Sequence, residues 1–301
     1  MNFDPNVERD VMTTYRAERV STGHGLLEGP IWTPEGLLVA DATAGGVLRI
    51  SDSGVIETVV EHRRGIGGMA IHGGGGLVIS GRNVAVKGLV GSEDTATHVL
   101  KENDPTNGIV GYNDLTVDAH GRLYVGSLAF VASESRDVDR PGQLFCIDLD
   151  GSARVVADEI LLTNGLGFSP DGSLLYHADT LRTTVFVYEV GDDGGLGPKR
   201  PFVQTSEDGH PDGLAVDVAG NVWVALPHTG RVGCFDASGH RTASIQIDVP
   251  MVTSLTFGGD DMRDLYIVSG SEGLDTDRGA GVFKARVETP GLTIPLCQVA
   301  V

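Results

Sequence analysis

The sequence predicts an all-β fold, a six-bladed β-propeller with four-stranded antiparallel blades around a central channel. The first observation is a β-hairpin pattern: Leu214, Val216 and Val218 alternate with small or polar residues, and a turn leads to a second strand at 222–225. The second is that this pattern recurs with starts roughly 40 to 50 residues apart, the repeat length of a propeller blade. The third is the glycine content, 43 of 301 residues, which suits many short strands joined by tight turns.

Six copies of the hairpin cover most of the chain. They start at or near Glu28, Gly68, Asn113, Asn164, Asp212 and Ser254. No Pro- or Ser-rich linker separates them, so we expect a single domain over residues 16–301, preceded by a leader over residues 1–15. A strand at Arg16–Val20 is expected to pair with the last blade near residues 281–287, which would protect an open sheet edge.

Composition restricts the partners and the compartment. The net charge of −19 argues against nucleic acid or an anionic membrane as partner, because both require clustered basic residues. Three widely spaced cysteines, Cys146, Cys234 and Cys297, are expected to be free thiols in a reducing compartment. With no signal-peptide pattern at the start, we expect a cytoplasmic protein, a monomer or a small homo-oligomer.

The hairpin geometry places two sets of residues at one mouth of the predicted channel. The start of the first strand and the end of the second lie side by side, so each set forms a ring. The first ring comprises Glu28, Gly67 or Gly68, Asn113, Asn164, Asp212 and Ser254. The second ring comprises Asp41, Ser80, Ser127, Asp179, Leu226 and Ser269. At the opposite end, turn chemistry explains the recurring aspartates Asp118, Asp171 and Asp217.

The first ring suggests chemistry because its residue type changes from copy to copy. Four of its six members carry carboxylate or amide groups, and such hard oxygens suit calcium, magnesium or a less selective divalent ion. The alternative is that these groups cap strand ends and bind channel water. From the residues alone, both interpretations stay open.

The motifs resemble those of the SMP-30/gluconolactonase/regucalcin-like (LRE-like) family of propellers. The resemblance spans most of the chain in the family's order. It rests on Glu28-Gly29-Pro30 with Trp32, Asn113-Asp114, Asn164-Gly165 with Ser169-Pro170-Asp171-Gly172, Pro211-Asp212-Gly213, and Phe257-Gly258-Gly259 with Leu265-Tyr266.

The resemblance implies one divalent metal ion held by Glu28, Asn164 and Asp212. Calcium is the expected ion, with zinc, magnesium, manganese and iron as alternatives. The resemblance also implies that Asn113 lies beside the metal and contacts the substrate or a metal-bound water. Family members hydrolyse lactones and relatives hydrolyse organophosphates, so the expected partner is a small-molecule lactone or ester.

One position departs from the family pattern. Sugar-lactone members often carry an arginine two residues before the asparagine that matches Asn113, and this chain has Gly111 there, followed by Tyr112. Glycine cannot make bidentate polar contacts with sugar hydroxyls. Either the substrate is less hydroxylated, or another residue takes over the role. Tyr112 and Asp179 join Asn113 as candidate substrate-binding residues.

The sequence thus predicts a metal-dependent lactonase, a carboxylic ester hydrolase, with the cation as Lewis acid and Asp212 as general base. A nucleophilic role of Asp212 is the alternative within this mechanism. Three histidines expected near the mouth, His24, His210 and His228, are further candidates for a base. Two other functions stay open: hydrolysis of organophosphates or aryl esters at the same site, and a non-catalytic calcium-binding propeller scaffold.

Overall fold

The structure, a computed structural model, describes residues 12–92, 96–130 and 140–301. Strands dominate it, beginning with β1 (Thr13–His24), and the helical segments among the described residues are two 3-10 turns, Pro105–Asn107 and Thr180–Arg182. Within the same ranges, no helix is long and apolar enough to cross a membrane. Most of the predicted leader, residues 1–11, lies outside the described residues.

Four sheets are separate, four-stranded and antiparallel, the architecture of propeller blades. The first contains β2 (Leu27–Thr33), β3 (Gly36–Asp41), β4 (Val47–Ile50) and β5 (Ile56–Val60). The second contains β6 (Met69–Ile71), β7 (Leu77–Ile79), β8 (Val84–Lys87) and β9 (Thr97–Lys101). The third contains β10 (Gly111–Val117), β11 (Leu123–Leu128), β12 (Gly142–Ile147) and β13 (Ala153–Ile160). The fourth contains β14 (Thr163–Phe168), β15 (Leu174–Asp179), β16 (Thr184–Glu189) and β17 (Arg200–Gln204).

The remaining strands form one eight-stranded sheet, so the prediction of a six-bladed propeller with four-stranded blades is wrong: the described residues form four such blades and this larger sheet. Along this sheet the order is β18-β19-β20-β21-β1-β24-β23-β22. Its strands other than β1 are β18 (Leu214–Val216), β19 (Val222–Leu226), β20 (Arg231–Phe235), β21 (Arg241–Gln246), β22 (Val252–Gly258), β23 (Asp264–Ser269) and β24 (Ala280–Arg286).

The physical reason for this fusion is the length of β1. Its predicted pairing with the last blade near residues 281–287 is confirmed and is antiparallel, since Ala17 faces Ala285 and Arg19 faces Phe283 in β24. The strand also extends back to Thr13, however, and residues 13–16 pair in parallel with β21. The segment Thr13-Thr14-Tyr15 is rich in residues that favour strands. One strand therefore bonds two neighbours along different parts of its length.

The inner strands surround the channel. Strands β2, β6, β10, β14, β18 and β22 each contact the next, and β22 contacts β2, so the ring is closed. Hydrophobic cores lie between neighbouring groups of strands. In one of them Ile31 and Leu38 pack with Met69 and Leu77, and in another the Trp32 ring stacks on Tyr266 with centroids 5.1 Å apart. Apolar burial between the sheets, the main stabilising contribution, thus holds the ring together.

The C-terminal segment, residues 290–301, crosses the end of the channel that carries the hairpin turns. Backbone N–H groups of Leu292, Cys297 and Ala300 donate to carbonyls of Val216, Ile71 and Leu149. Val216 and Ile71 belong to two different sheets, and Leu149 lies in the turn between β12 and β13 of a third. Cys297 is buried, as are Cys146 and Cys234, and the prediction of free thiols is confirmed for all three. The turns and this segment form the base of the channel, and the ring residues lie at the opposite end, the mouth.

Candidate functional site

A cavity of about 610 Å³ opens at the mouth of the channel. Four polar residues of the predicted first ring line it together with Gly67, although the four come from different groups of strands: Glu28, Asn113, Asn164 and Asp212. The convergence of residues 184 positions apart (28 to 212) is a consequence of the closed ring of inner strands.

Irregular strand pairing changes the direction of the ring side chains. The register slips between Glu28 and Ile31 in β2, between Tyr112 and Leu115 in β10, and between Thr163 and Leu166 in β14. A bulge adds a residue to one strand and changes the direction of its side chains. The slips fall at the ring positions, so Asn113 lines the cavity while its neighbour Asp114 raises the pKa of Glu28 and of Asp212.

Glycine follows several ring residues because neighbouring inner strands approach closely there. A Cβ on Gly213 would lie 2.1 Å from Oγ of Ser254, and one on Gly165 would lie 2.3 Å from the backbone N of Leu214. The Gly165 N–H donates to the Asp212 carbonyl at 3.2 Å. The Asn164-Gly165 and Asp212-Gly213 motifs therefore bring the two ring side chains together through direct backbone contact.

Three carboxyl groups meet at the mouth. Burial raises the pKa of Glu28 well above its usual value, and the charges of Asp212 and Asp114 raise it further. Burial and then Asp114 likewise raise the pKa of Asp212, and burial raises that of Asp114 to about 7. Among the described residues, no basic side chain offsets these shifts, so negative charge here is uncompensated by protein.

The two ring amides are held in defined orientations. Asn113 Nδ2 donates to the Thr163 carbonyl at 2.8 Å and to Asn164 Oδ1 at 2.7 Å. Asn164 Nδ2 donates to Thr180 Oγ1 at 2.7 Å, and that hydroxyl donates to the Pro211 carbonyl at 2.8 Å. Both nitrogen atoms are therefore used within the protein. The oxygen of Asn113 and the second lone pair of Asn164 Oδ1, whose first accepts from Asn113, are left for a cation or a water.

The hairpin repeat predicts no role for Asp114 or Thr180. Regular alternation along a strand would send Asp114 to the face opposite Asn113. The bulge in β10 lies at this pair, and Asp114 is close enough to Glu28 and Asp212 to raise the pKa of both. Thr180 follows directly after a strand, in a 3-10 turn whose position the repeat did not indicate.

Tyr112 and Asp179 are placed differently from the other candidates. The Tyr112 ring is 1% exposed and packs near Phe145, and its hydroxyl donates to the Glu102 carbonyl at 2.8 Å. The Asp179 carboxylate accepts the backbone N–H groups of Leu161 and Leu162 at 3.0 and 3.1 Å, and its side chain is 1% exposed. Tyr112 is among the residues that line the cavity, and Asp179 is not. Direct substrate contact by these two residues stays a prediction, because the hydrogen bonds of their side chains are within the protein.

The side chains of the second ring mostly form hydrogen bonds with the backbone of loops around the mouth. Ser80 Oγ accepts the Gly68 N–H at 2.8 Å, and Ser127 Oγ accepts the Gln143 N–H at 2.9 Å. Burial would raise the pKa of Asp41, but hydrogen bonds from Ala44, Thr43 and Gly25 outweigh that effect and lower it. These residues use their polar groups to fix the backbone around the mouth.

The three candidate histidines lie in different environments. His210 and His228 line the cavity, and His210 Nδ1 lies 3.0 Å from the Thr180 carbonyl. His24 is 4% exposed, with Nε2 3.1 Å from Ser21 Oγ. Burial lowers the pKa of His24, which keeps its imidazole neutral. Of the three, His210 and His228 border the space where a substrate would bind.

Gly111 is explained by its neighbour across the strands. A Cβ on Gly111 would lie 2.9 Å from the Gly81 carbonyl oxygen, and the adjacent Tyr112 N–H donates to that oxygen at 2.7 Å. A larger side chain would push these backbones apart. The exposed Arg82, next in sequence to Gly81, lines the outer part of the same cavity.

The donor set at the mouth fits a divalent cation. The Glu28 and Asp212 carboxylates and the Asn164 amide oxygen are hard ligands of the type that calcium and magnesium prefer. Buried carboxylates without a positive partner are costly, and a cation would neutralise them. Within the described ranges, no group of three or more His, Cys, Asp and Glu side chains is arranged to hold a metal ion, so the candidate set depends on an amide.

Comparisons with known proteins agree with this architecture. Residues 26–271 match the family model described as the SMP-30/Gluconolactonase/LRE-like region. A 6-deoxy-6-sulfogluconolactonase of Pseudomonas putida is 31% identical over 89% of this chain and 94% of its own length. A pentonolactonase of Haloferax volcanii is 31% identical over 87% of both chains.

Solved structures show the same fold. A regucalcin from Agrobacterium tumefaciens, described as a calcium-binding protein, superposes with a TM-score of 0.82 at 21% identity, covering 96% of this chain and 100% of that one. The family match covers most of the chain and includes all four polar ring residues that line the cavity. The chain therefore belongs to the SMP-30/gluconolactonase/LRE-like family.

Proposed function

We propose that this protein is a metal-dependent lactonase that opens a cyclic ester at the mouth of the channel. The observation that carries the proposal is the convergence of Glu28, Asn113, Asn164 and Asp212 on one cavity, with no basic partner for the carboxylates among the described residues. The names of two relatives, a sulfogluconolactonase and a pentonolactonase, support the reaction class.

Glu28, Asn164 and Asp212 would hold the cation, for which calcium is the proposed species. When bound, it would supply Lewis-acid polarisation of the ester carbonyl and favour the developing negative charge. The neighbouring Asp114 adds a further negative charge close to these ligands, which strengthens attraction for a divalent ion.

Asp212 is the proposed general base. A carboxylate oxygen of Asp212 takes a proton from the attacking water while the water oxygen bonds to the ester carbon. The ring C–O bond then breaks, and the proton is returned to the departing alkoxide, so the product is a hydroxy acid. The hydrogen bond from Gly165 to the Asp212 carbonyl holds this residue in position throughout.

Asn113 is proposed to orient the substrate or the water. Its Nδ2 is bound to Thr163 and Asn164, so its Oδ1 is the atom left to accept a hydrogen bond. A Cβ on Gly67 would lie 2.0 Å from this oxygen. Gly67, in the second copy of the hairpin, has no side chain, and the Asn113 side chain occupies the space where one would be.

The test is a substrate panel measured with and without chelator. We expect purified protein with added calcium to hydrolyse γ- and δ-lactones, and excess EDTA to stop the reaction until calcium is restored. Faster turnover of an aryl ester or an organophosphate than of any lactone would favour the second hydrolase function. Metal binding by calorimetry without turnover of any member of the panel would favour a non-catalytic calcium-binding scaffold.

A further inference from the structure

We propose that the lactone carries an apolar alkyl or aryl substituent, which packs against a ring of hydrophobic side chains above the polar site. This inference rests on the proposed lactonase function and specifies its substrate class. The names of the two lactonase relatives point to sugar substrates, and the mouth of this protein is chemically different from a sugar-binding surface.

The hydrophobic ring, here called the apolar collar, lies one to three residues before the first-ring positions. It comprises Leu26, Ile66, Val110, Leu162 and Met251, all of which line the cavity. His210 takes the corresponding position before Asp212. Because the collar precedes the polar ring in each copy, the cavity has a polar floor and an apolar wall.

Further apolar residues extend this wall. Leu128, Phe130, Leu181 and Pro227 also line the cavity. Of the collar residues, Ile66 is buried and the other four are only half-buried, so apolar surface faces the open mouth. Such concave apolar surface with a few convergent polar groups is characteristic of a ligand site.

Polar side chains in the same wall are largely occupied by the protein. Thr43 Oγ1 donates to Asp41 at 2.9 Å. Thr180 Oγ1 is bound to both Asn164 and Pro211, and one ring nitrogen of His210 faces the Thr180 carbonyl. Sugar hydroxyls need several available donors and acceptors, and a site that recognises them loses affinity when these are missing.

Gly111 supports the same conclusion. Its close approach to the Gly81 carbonyl leaves no room for a side chain, so polar recognition from this position is excluded by backbone packing. The remaining polar candidates on the wall, Arg82 and His228, are exposed. They border solvent, where hydrogen bonds to a substrate compete with water.

The experiment compares lactones that differ only in the substituent. We expect calcium-loaded protein to hydrolyse δ-decalactone, which carries a pentyl chain, with a kcat/KM about 10-fold or more above that of unsubstituted δ-valerolactone. Glucono-δ-lactone should be the poorest of the three. Calorimetric titration with the pentyl-substituted and unsubstituted δ-lactams, which resist hydrolysis, gives a readout of the same preference that is independent of turnover.

A near-isosteric pair of substitutions tests the collar directly. The double variant Val110→Thr/Leu162→Asn should reduce the preference for the pentyl chain about fivefold or more, because it replaces apolar contacts by hydroxyl and amide groups. The readout is the ratio of kcat/KM for δ-decalactone to kcat/KM for δ-valerolactone, compared between the double variant and the wild type. Val218→Thr at the base, where Val218 is 50% exposed, is the matched control and should leave the preference unchanged.

The outcomes separate the two proposals. Higher kcat/KM for glucono-δ-lactone than for δ-decalactone, or equal binding of the two lactams, would overturn the substrate class while leaving the lactonase function intact. Failure to hydrolyse any lactone would count against the lactonase function itself. In that case lactam binding by wild type and double variant still decides whether the collar selects an apolar group.

Discussion

Aspartates at the mouth and the base of the channel have opposite environments. At the base, Asp217 accepts hydrogen bonds from the N–H groups of Ala219 and Asn221, from Asn221 Nδ2 and from Trp223 Nε1. At the mouth, five residues earlier in the same hairpin, Asp212 lies beside Asp114 and Glu28 with no basic partner among the described residues.

The same contrast is visible in the pKa values. Hydrogen bonds from Ser169 and Ser173 lower the pKa of Asp171, at a base turn, to about 2, whereas burial raises that of Asp114 at the mouth to about 7. Turn aspartates accept local N–H and O–H groups, as was predicted and is confirmed for Asp118, Asp171 and Asp217. Polar groups at the base thus contribute to stability, and the carboxyl groups at the mouth, which have no basic partner among the described residues, remain available for a cation.

The largest expected effect comes from replacing an aspartate by asparagine, and the same substitution is made at the mouth and at the base of the channel for comparison. Asp212→Asn should lower kcat about 1,000-fold by removing the proposed base, while the melting temperature of the metal-free protein is unchanged or rises because like charges at the mouth are reduced. Asp217→Asn should destabilise the fold by about 2 kcal/mol, since it weakens buried hydrogen bonds to a charged acceptor, and should keep its activity at low temperature.

Kinetics and thermal unfolding of both variants check this expectation. Wild-type turnover by Asp212→Asn would remove Asp212 from the mechanism. Loss of activity in a well-folded Asp217→Asn variant would show that the base of the channel is coupled to the site at the mouth.

The second prediction concerns the C-terminal segment. A variant that ends at Leu296 loses the buried Cys297 and Val299 and the hydrogen bonds to Ile71, Gly121 and Leu149. We expect unfolding free energy to fall by about 3 kcal/mol from the loss of apolar burial and hydrogen bonds. Urea unfolding measures it, and kcat at low temperature should be retained. Deletion of the exposed Val301 alone is the control, and a truncation as stable as wild type would contradict a structural role for the segment.

The smallest expected effect comes from His177, buried between the two ends. Burial, with a contribution from the charge of Lys199, lowers its pKa to about 3, and its Nε2 lies 2.5 Å from Thr163 Oγ1. The unfolded state therefore binds more protons between pH 6.5 and pH 3, so stability contributed by neutral His177 is present above pH 6.5 and is lost as pH falls. We expect a loss of about 1 kcal/mol between pH 7 and pH 5.5.

The measurement is urea unfolding at both pH values for wild type and His177→Gln. The carboxyls at the mouth have raised pKa values and act in the opposite direction, so the difference between the two proteins isolates the histidine. His62→Gln, at a side chain that is 92% exposed, is the control. Equal pH dependence of wild type and His177→Gln would refute the prediction.

Much of the site was predictable because it is built on a repeat. Period-2 alternation and turn residues are local signals, and they placed Glu28, Asn113, Asn164 and Asp212 at corresponding positions, which the structure brings to one cavity. The role of Asp114 was missed because it depends on a bulge, and a bulge is a property of strand pairing that alternation does not reveal.

By itself, the sequence determined the hairpins, the membership in a propeller family and the separation of turn aspartates from ring residues, because each depends on local pattern or on motif order. Only the tertiary structure decided that β1 joins two groups of strands into one eight-stranded sheet. It also decided which polar groups are already bound within the protein, such as Thr180 and Asp179, and which are left at the mouth. These depend on contacts between residues far apart in the chain, for which the local sequence carries no signal.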